Sequence, residues 1–178
     1  MVTHGMERYK RMVVHAWLEA VSKQYPMPHA ALVRLGQHVS QCEQTHSGEI
    51  RIYIETALPW TTLKQNLPTR DLSRQRAIEI FSSQRVWDTA QNNGVLIYLL
   101  LAERSIEIIA DRGLSQRIKP VVWKEMVSRL SDACREGAIE AGLVQAVSEI
   151  SVLLGQYFPL AEGELNPNEL PDFPALGK

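Results

Sequence analysis

Two short polar clusters in this sequence, Asn92-Asn93-Gly94 and Asp111-Arg112-Gly113, combine residue types that can hold an ion, a phosphate or an ordered water. The Asp111 carboxylate can act as a general base or a metal ligand. The Arg112 guanidinium suits a phosphate oxyanion, and the Asn92 and Asn93 amides can supply hydrogen bonds. Gly94 and Gly113 carry no side chain, so the backbone groups beside them stay accessible to a ligand. The segment between the clusters predicts how they meet. Val95–Ala102 (VLIYLLLA) and Ser105–Ala110 (SIEIIA) read as two strands of an antiparallel hairpin, and a two-residue loop at Glu103-Arg104 sets Gly94 opposite Gly113. Each cluster is also an ordinary stop signal, Asn92-Asn93-Gly94 for a helix and Asp111-Arg112-Gly113 for a strand, and the residues alone leave both readings open.

A second edge competes with this one. Open α/β sheets bind ligands beyond the C-terminal ends of their parallel strands, which points to Glu55, Thr56 and the loop from Ala57 to Thr69. Trp60 in that loop, and Trp87 beside Asp88, read as packing anchors.

Several function classes are excluded. The chain has no GxxxxGK, GxGxxG, GxSxG or HExxH string, which removes P-loop, dinucleotide-binding, nucleophile-elbow and zincin chemistry. His4, His15, His29, His38 and His46 all precede the hairpin at spacings that form no ligand pair, so surface or packing roles are expected for each. Cys42 and Cys134 are too far apart to suggest a zinc finger or disulfide framework and read as buried thiols. Nineteen Lys and Arg against twenty Asp and Glu give a net charge of −1, which offers no drive toward nucleic acid. There is no run of eighteen apolar residues for a membrane-spanning helix, and Met1–Tyr25 does not read as a secretory signal. A soluble, cytoplasmic protein is expected.

The elements that must position these residues follow from periodicity. Arg8–Val21 spaces its apolar residues as an amphipathic helix, within an N-terminal extension over residues 1–27. A helix from Pro28 to about Gln44 follows, then Glu49–Thr56 (EIRIYIET), whose strict alternation is that of a strand. Asp71 is the expected N-cap of a helix through Ala77, Ile78, Phe81 and Val86. The uninterrupted apolar run of VLIYLLLA predicts a strand covered on both faces. Two helices follow the hairpin, divided at Gly137, the second running from about Ile139 to Leu154. Strand, crossover helix and buried strand make a right-handed βαβ unit, to which the third strand adds antiparallel. The expected fold is a three-layer α/β/α sandwich around a small mixed sheet over residues 28–158, ending in a Pro-rich extended tail over residues 159–178.

Three strings, taken together, resemble the TPM-domain family, also called the TPM phosphatase family, over about residues 40 to 160. They are Ser47-Gly48-Glu49-Ile50 opening a strand, NNGVLIYLLLAERSIEIIADRG from Asn92 to Gly113, and a helix pair ending in Tyr157-Phe158-Pro159. The family includes thylakoid-lumen proteins of photosystem II maintenance and acetylcholine-receptor modulators, and the resemblance implies an α/β/α sandwich. Phosphatase activity and calcium binding have each been attached to some members. Many members carry Asp-Asn-Gly before the apolar strand and Gly-Tyr-Gly after the hairpin, where this chain has Asn92-Asn93-Gly94 and Asp111-Arg112-Gly113. A carboxylate is lost on one side and gained on the other.

The resemblance therefore implies an accessory or interaction module linked to membrane-protein or envelope maintenance. Its implied partners are membrane-anchored relatives and LemA-type proteins, with membrane contact only peripheral, through the N-terminal helix. The alternatives are a phosphomonoester hydrolase, with Asp111 and Arg112 catalytic, and a divalent-ion-binding domain, with Asp111 as ligand to calcium or magnesium.

Overall fold

The computed structural model describes residues 13, 27–65 and 67–177. The helix expected over Arg8–Val21 lies outside them except for Val13, which is helical and exposed. The described elements are α1 (His29–Glu43), β1 (Ile50–Glu55), α2 (Trp60–Leu63), α3 (Thr69–Ser83), β2 (Val95–Leu100), β3 (Ser105–Ala110), α4 (Arg112–Ser115), α5 (Pro120–Arg135), α6 (Ile139–Tyr157) and β4 (Ala175–Gly177).

The sheet runs β3-β2-β1-β4, with β1 parallel to β2 and β3 antiparallel to β2. Strand alternation sorts its side chains into two cores. Ile50, Ile52 and Ile54 with Val95, Ile97 and Leu99 face α1, α5 and α6, packing on Leu35, Val39, Leu130, Val147 and Leu154. Leu96, Tyr98 and Leu100 face α3, where they meet Leu72, Ala77 and Ile80. Every residue of β2 is therefore buried, as its unbroken apolar run requires, and the chain forms the expected three-layer α/β/α sandwich. Gly137, with φ of 79°, takes the left-handed conformation that separates α5 from α6. Among the described residues no helix is long and apolar enough to cross a membrane.

Four details depart from the sequence-based expectation. The hairpin loop holds four residues, Leu101–Arg104, closed by a bond from Arg104 N–H to Leu101 O with Arg104 at φ 49°. Val95 consequently pairs with Ala110, and Gly94 faces Asp111 rather than Gly113. The helix α3 is capped at Pro68, with Asp71 in its first turn, and it ends before Val86. Ile78, expected on its packed face, is half exposed. The Pro-rich C-terminal segment does not trail away, because Ala175–Gly177 adds β4 to the sheet parallel to β1.

That last segment is held by polar groups rather than by an apolar stripe. The buried Glu49 carboxylate accepts from the backbone N–H of Glu169 (3.0 Å) and Leu170 (3.1 Å). The Arg51 guanidinium donates to Pro171 O and Phe173 O, both at 2.6 Å, and to Gln84 Oε1 at 3.2 Å. Asn166 Nδ2 donates to His46 O (2.8 Å) and Gly48 O (3.2 Å). A lysine cannot reproduce the planar fork that reaches two carbonyls at once. Arg51→Lys should therefore loosen β4 locally, with hydrogen exchange at Gly177 and its neighbours accelerating roughly tenfold while the β2 amides keep their protection. Unchanged exchange at β4 would show that the Arg51 bonds contribute nothing to its docking.

Candidate functional site

The two clusters singled out by the sequence do meet, at one end of the β2–β3 hairpin. After α3 the chain turns at Arg85, then at Asn92, whose φ of 52° lies in the left-handed region that asparagine tolerates better than most residues. Gly94 then passes so close to the preceding turn that a Cβ there would lie 2.0 Å from Val86 O. On the other side Asp111 caps the single turn of α4, its Oδ1 accepting from Arg112 N–H at 2.6 Å. The two sides are tied by Asp111 N–H to Gly94 O and Gly113 N–H to Asn92 O, each 2.9 Å. A Cβ on Gly113 would lie 2.5 Å from Asn92 O and 2.7 Å from Gln91 O, so glycine is needed for close approach of two backbones, not for access by a ligand.

Part of the hydrogen bonding at this rim is taken up by the protein itself. Arg112 Nε donates to Asn92 Oδ1 at 3.0 Å. Asn93 is fully buried and turned inward, its Nδ2 donating to Ser47 O (3.1 Å) and Ser47 Oγ (3.3 Å) and its N–H to Thr89 Oγ1 (3.0 Å). Two buried oxygens, Asn93 Oδ1 and Asp111 Oδ2, lack a hydrogen-bond partner. Two such oxygens beside a guanidinium do not fit a hard divalent cation, which takes about six to eight oxygen ligands. Among the described residues no group of three or more His, Cys, Asp and Glu side chains is placed to hold a metal ion.

The competing edge is also occupied, by protein. Glu55 is buried; its carboxylate accepts from Arg76 Nη2 (2.7 Å), from Arg76 Nε (3.0 and 3.2 Å) and from Tyr98 Oη (2.6 Å). Burial and the Glu55 charge hold the Tyr98 phenol above its ordinary range, while hydrogen bonding to Glu55 raises the Arg76 guanidinium further. Thr56 lends its N–H to Gly177 O and its carbonyl to Ala102 N–H. The loop after it contains the one-turn helix α2. Trp60 and Trp87 are half exposed rather than packing anchors, and Trp87 Nε1 donates to Ser82 O at 3.3 Å.

Sequence patterning passed over a buried polar layer where α1 meets the start of β1. Glu43 Oε1 accepts from Ile50 N–H at 2.7 Å; burial first, and the nearby Glu49 and Asp172 carboxylates next, push the Glu43 carboxyl up to about 9. The fully buried His46 shares Nδ1 with Gly48 O and Nε2 with Ser151 Oγ, each at 3.0 Å, and burial lowers its basicity. A carbonyl can only accept, so Nδ1 carries the proton and Nε2 accepts from the serine. The only signal in the sequence for this layer is a run of polar residues, Glu43 to Glu49, between two apolar elements. Cys42 and Cys134 are half buried, with burial raising both thiols.

A larger concavity than the rim lies elsewhere. A trough of ≈ 870 Å³ follows β3, walled by α3 through Arg70 and Arg74 and by α5 through Trp123 and Val127.

Comparison with known proteins adds a family and a fold. A family model described as the TPM domain matches residues 29–153. The BA42 protein of the psychrophilic bacterium Bizionia argentinensis, solved by NMR, is similar at a TM-score of 0.73 and 21% identity, covering 89% of this chain and 99% of that one. The N-terminal domain of a P. gingivalis protein, also solved by NMR, matches at a TM-score of 0.54 and 16% identity, over 76% of this chain and 82% of that one. Among curated proteins, none matches this chain.

Proposed function

The chain belongs to the TPM-domain family, and from that premise we propose that it is a non-catalytic interaction module, working in the cytoplasm in support of membrane-protein or envelope maintenance. The observation that carries this reading is the hairpin rim. Arg112 turns its Nε to Asn92 Oδ1, and Asn93 is turned into the protein toward Ser47. Oxyanion stabilisation needs donors aimed at an open position where a substrate oxygen can sit. The Arg112 Nε and the Asn93 amide are aimed at protein oxygens. Membrane-anchored relatives and LemA-type proteins are the partner classes that fit such a role.

The rival reading is a phosphomonoester hydrolase using Asp111 and Arg112. An aryl phosphate assay with and without magnesium, calcium or manganese separates the two. The comparison is wild type against Asp111→Asn, a substitution that keeps an N-cap acceptor for Arg112 N–H. The module reading expects the same background rate from both proteins under every ion. Metal-dependent turnover that falls a hundredfold or more in Asp111→Asn, the size expected for loss of a general base, would establish the hydrolase instead. The unpartnered Asp111 Oδ2 gives the same pair a second use. Calcium or magnesium at millimolar level should leave the melting temperatures of the two proteins equally unaffected, and a shift confined to wild type would identify an ion site.

A further inference from the structure

We propose that the free edge of β3 binds an extended segment of a partner protein in which acidic and apolar residues alternate, added to the sheet as a fifth strand. This inference rests on the interaction-module reading above and names the surface and the chemistry of its partner.

The backbone supplies the first argument. Asp111 N–H bonds to Gly94 O, and Asp111 and Gly94 are directly opposite in the antiparallel register. Residues 109, 107 and 105 therefore direct their N–H and C=O groups toward β2, and Ile106, Ile108 and Ala110 direct theirs away from it. Among the described residues β3 ends the sheet, so these outward groups form an open ladder edge. One of them is covered in a way that confirms the direction: Arg74 Nη1 donates to Ile108 O at 3.2 Å while also pairing with Glu107 at 3.1 Å. The Arg74 side chain is about half exposed, so it can leave that carbonyl when a strand arrives.

The walls supply the second. The ≈ 870 Å³ trough along this edge shares Arg104, Ser105, Ile106 and Ser131 with a neighbouring ≈ 420 Å³ pocket that reaches Ile139, so the concavity runs the length of β3. An added strand presents alternate residues to opposite faces. On one face it meets α3, where Arg70 and Arg74 are exposed. On the other it meets α5, where Trp123 and Val127 are half buried. One wall thus selects carboxylates at every second position and the other selects apolar side chains between them. Lys124 and Arg104 add exposed cations at the rim, and among the described residues Asp71 and Glu107 are the acidic ones lining the trough. This excess of positive charge stands out in a chain of net charge −1. It also disfavours a second copy of the same edge as occupant, since pairing β3 with β3 sets these cations against one another.

The test uses the full-length chain and a labelled nonapeptide alternating glutamate and valine, followed by fluorescence anisotropy. Four comparisons define the expected result. The lysine–valine counterpart should bind at least tenfold more weakly. N-methylation of either all glutamates or all valines should weaken binding at least tenfold, because one of the two sets faces β3. The surface charge reversal Arg70→Glu with Lys124→Glu, at two exposed positions, should lose at least tenfold in affinity, and Ala110→Pro, which removes one outward N–H, should do likewise. Binding that is indifferent to N-methylation, to charge reversal and to Ala110→Pro overturns the edge site while leaving an interaction module with another surface. Absence of binding by either peptide overturns the proposed partner chemistry, whereas metal-dependent turnover of the aryl phosphate removes the module reading itself.

Discussion

Arg76→Ala is expected to destabilise the protein by about 3–5 kcal/mol, the cost of leaving a buried charge without its partner. Glu55 is 1% exposed, and its carboxylate receives both the Nε and the Nη2 of Arg76, with Tyr98 Oη as a further side-chain donor. Removing the guanidinium deletes the positive charge and two of the donors, and water reaches Glu55 poorly between β1, β2 and α3. A loss that large consumes much of the stability of a typical domain, about 5–15 kcal/mol, so the denaturation midpoint should fall steeply. Two companion variants identify the cause. Tyr98→Phe removes one hydrogen bond to a charged acceptor and should cost about 1.5–3 kcal/mol. Glu55→Gln combined with Arg76→Ala should be less harmful than Arg76→Ala alone, because no ion is then left stranded. A double variant as unstable as the single one would show that Arg76 acts through packing of its alkyl stem.

Glu43→Gln should stabilise the protein at neutral pH, by about 2–3 kcal/mol at pH 7, and do little at pH 4. The folded Glu43 carboxyl titrates at about 9, well above its ordinary value of 4.5. Between those values the unfolded chain has released the proton and the folded chain retains it, so folded-state stability declines as pH rises through this window. Glutamine cannot ionise, and its Oε1 still accepts from Ile50 N–H as Glu43 does at 2.7 Å. Its amide can also donate to the nearby Asp172 carboxylate. The gain from the substitution should therefore grow steadily from about pH 5 to pH 8 in parallel urea titrations. A gain that is constant across pH would place the effect in packing, and a loss at pH 7 would show that Glu43 is ionised and stabilising.

Much of the fold was legible because periodicity is a direct consequence of burial. Alternation in EIRIYIET and its absence in VLIYLLLA located β1 and the doubly covered β2, and their crossover helix fixed a parallel pair. The same signal misplaced the hairpin loop. Leu101 and Ala102 are apolar and read as strand, yet their N–H groups reach across to Glu55 O and Thr56 O while the chain is already turning. Hydropathy does not separate a strand end from an apolar turn, and the two-residue difference moved Asp111, not Gly113, opposite Gly94.

The buried charges were hidden for a related reason. Arg51 and Glu55 occupy the polar phase of β1, which suggests a solvent-facing side, but the C-terminal segment covers Arg51 and Arg76 of α3 covers Glu55. That segment docks through Glu49, Arg51 and Asn166 bonding to backbone, an arrangement with no periodic signature, and four prolines made it read as an unattached tail. The rim at Asn92 and Asp111 was found because a hairpin necessarily joins its two flanks. What the rim does with its donors depended on the direction in which Asn93 and Arg112 turn, which residue type does not specify.

The most direct measurement of the central claim is amide hydrogen exchange along β3, with and without the glutamate–valine nonapeptide. In the free protein Glu107 and Ile109, bonded to β2, should exchange slowly, and Ile106, Ile108 and Ala110 rapidly. Added peptide should slow the three fast amides by tenfold or more and leave the hairpin rim at Asn92 and Arg112 unchanged. Protection appearing at that rim instead, or equal rates for these five amides before peptide is added, would contradict the account.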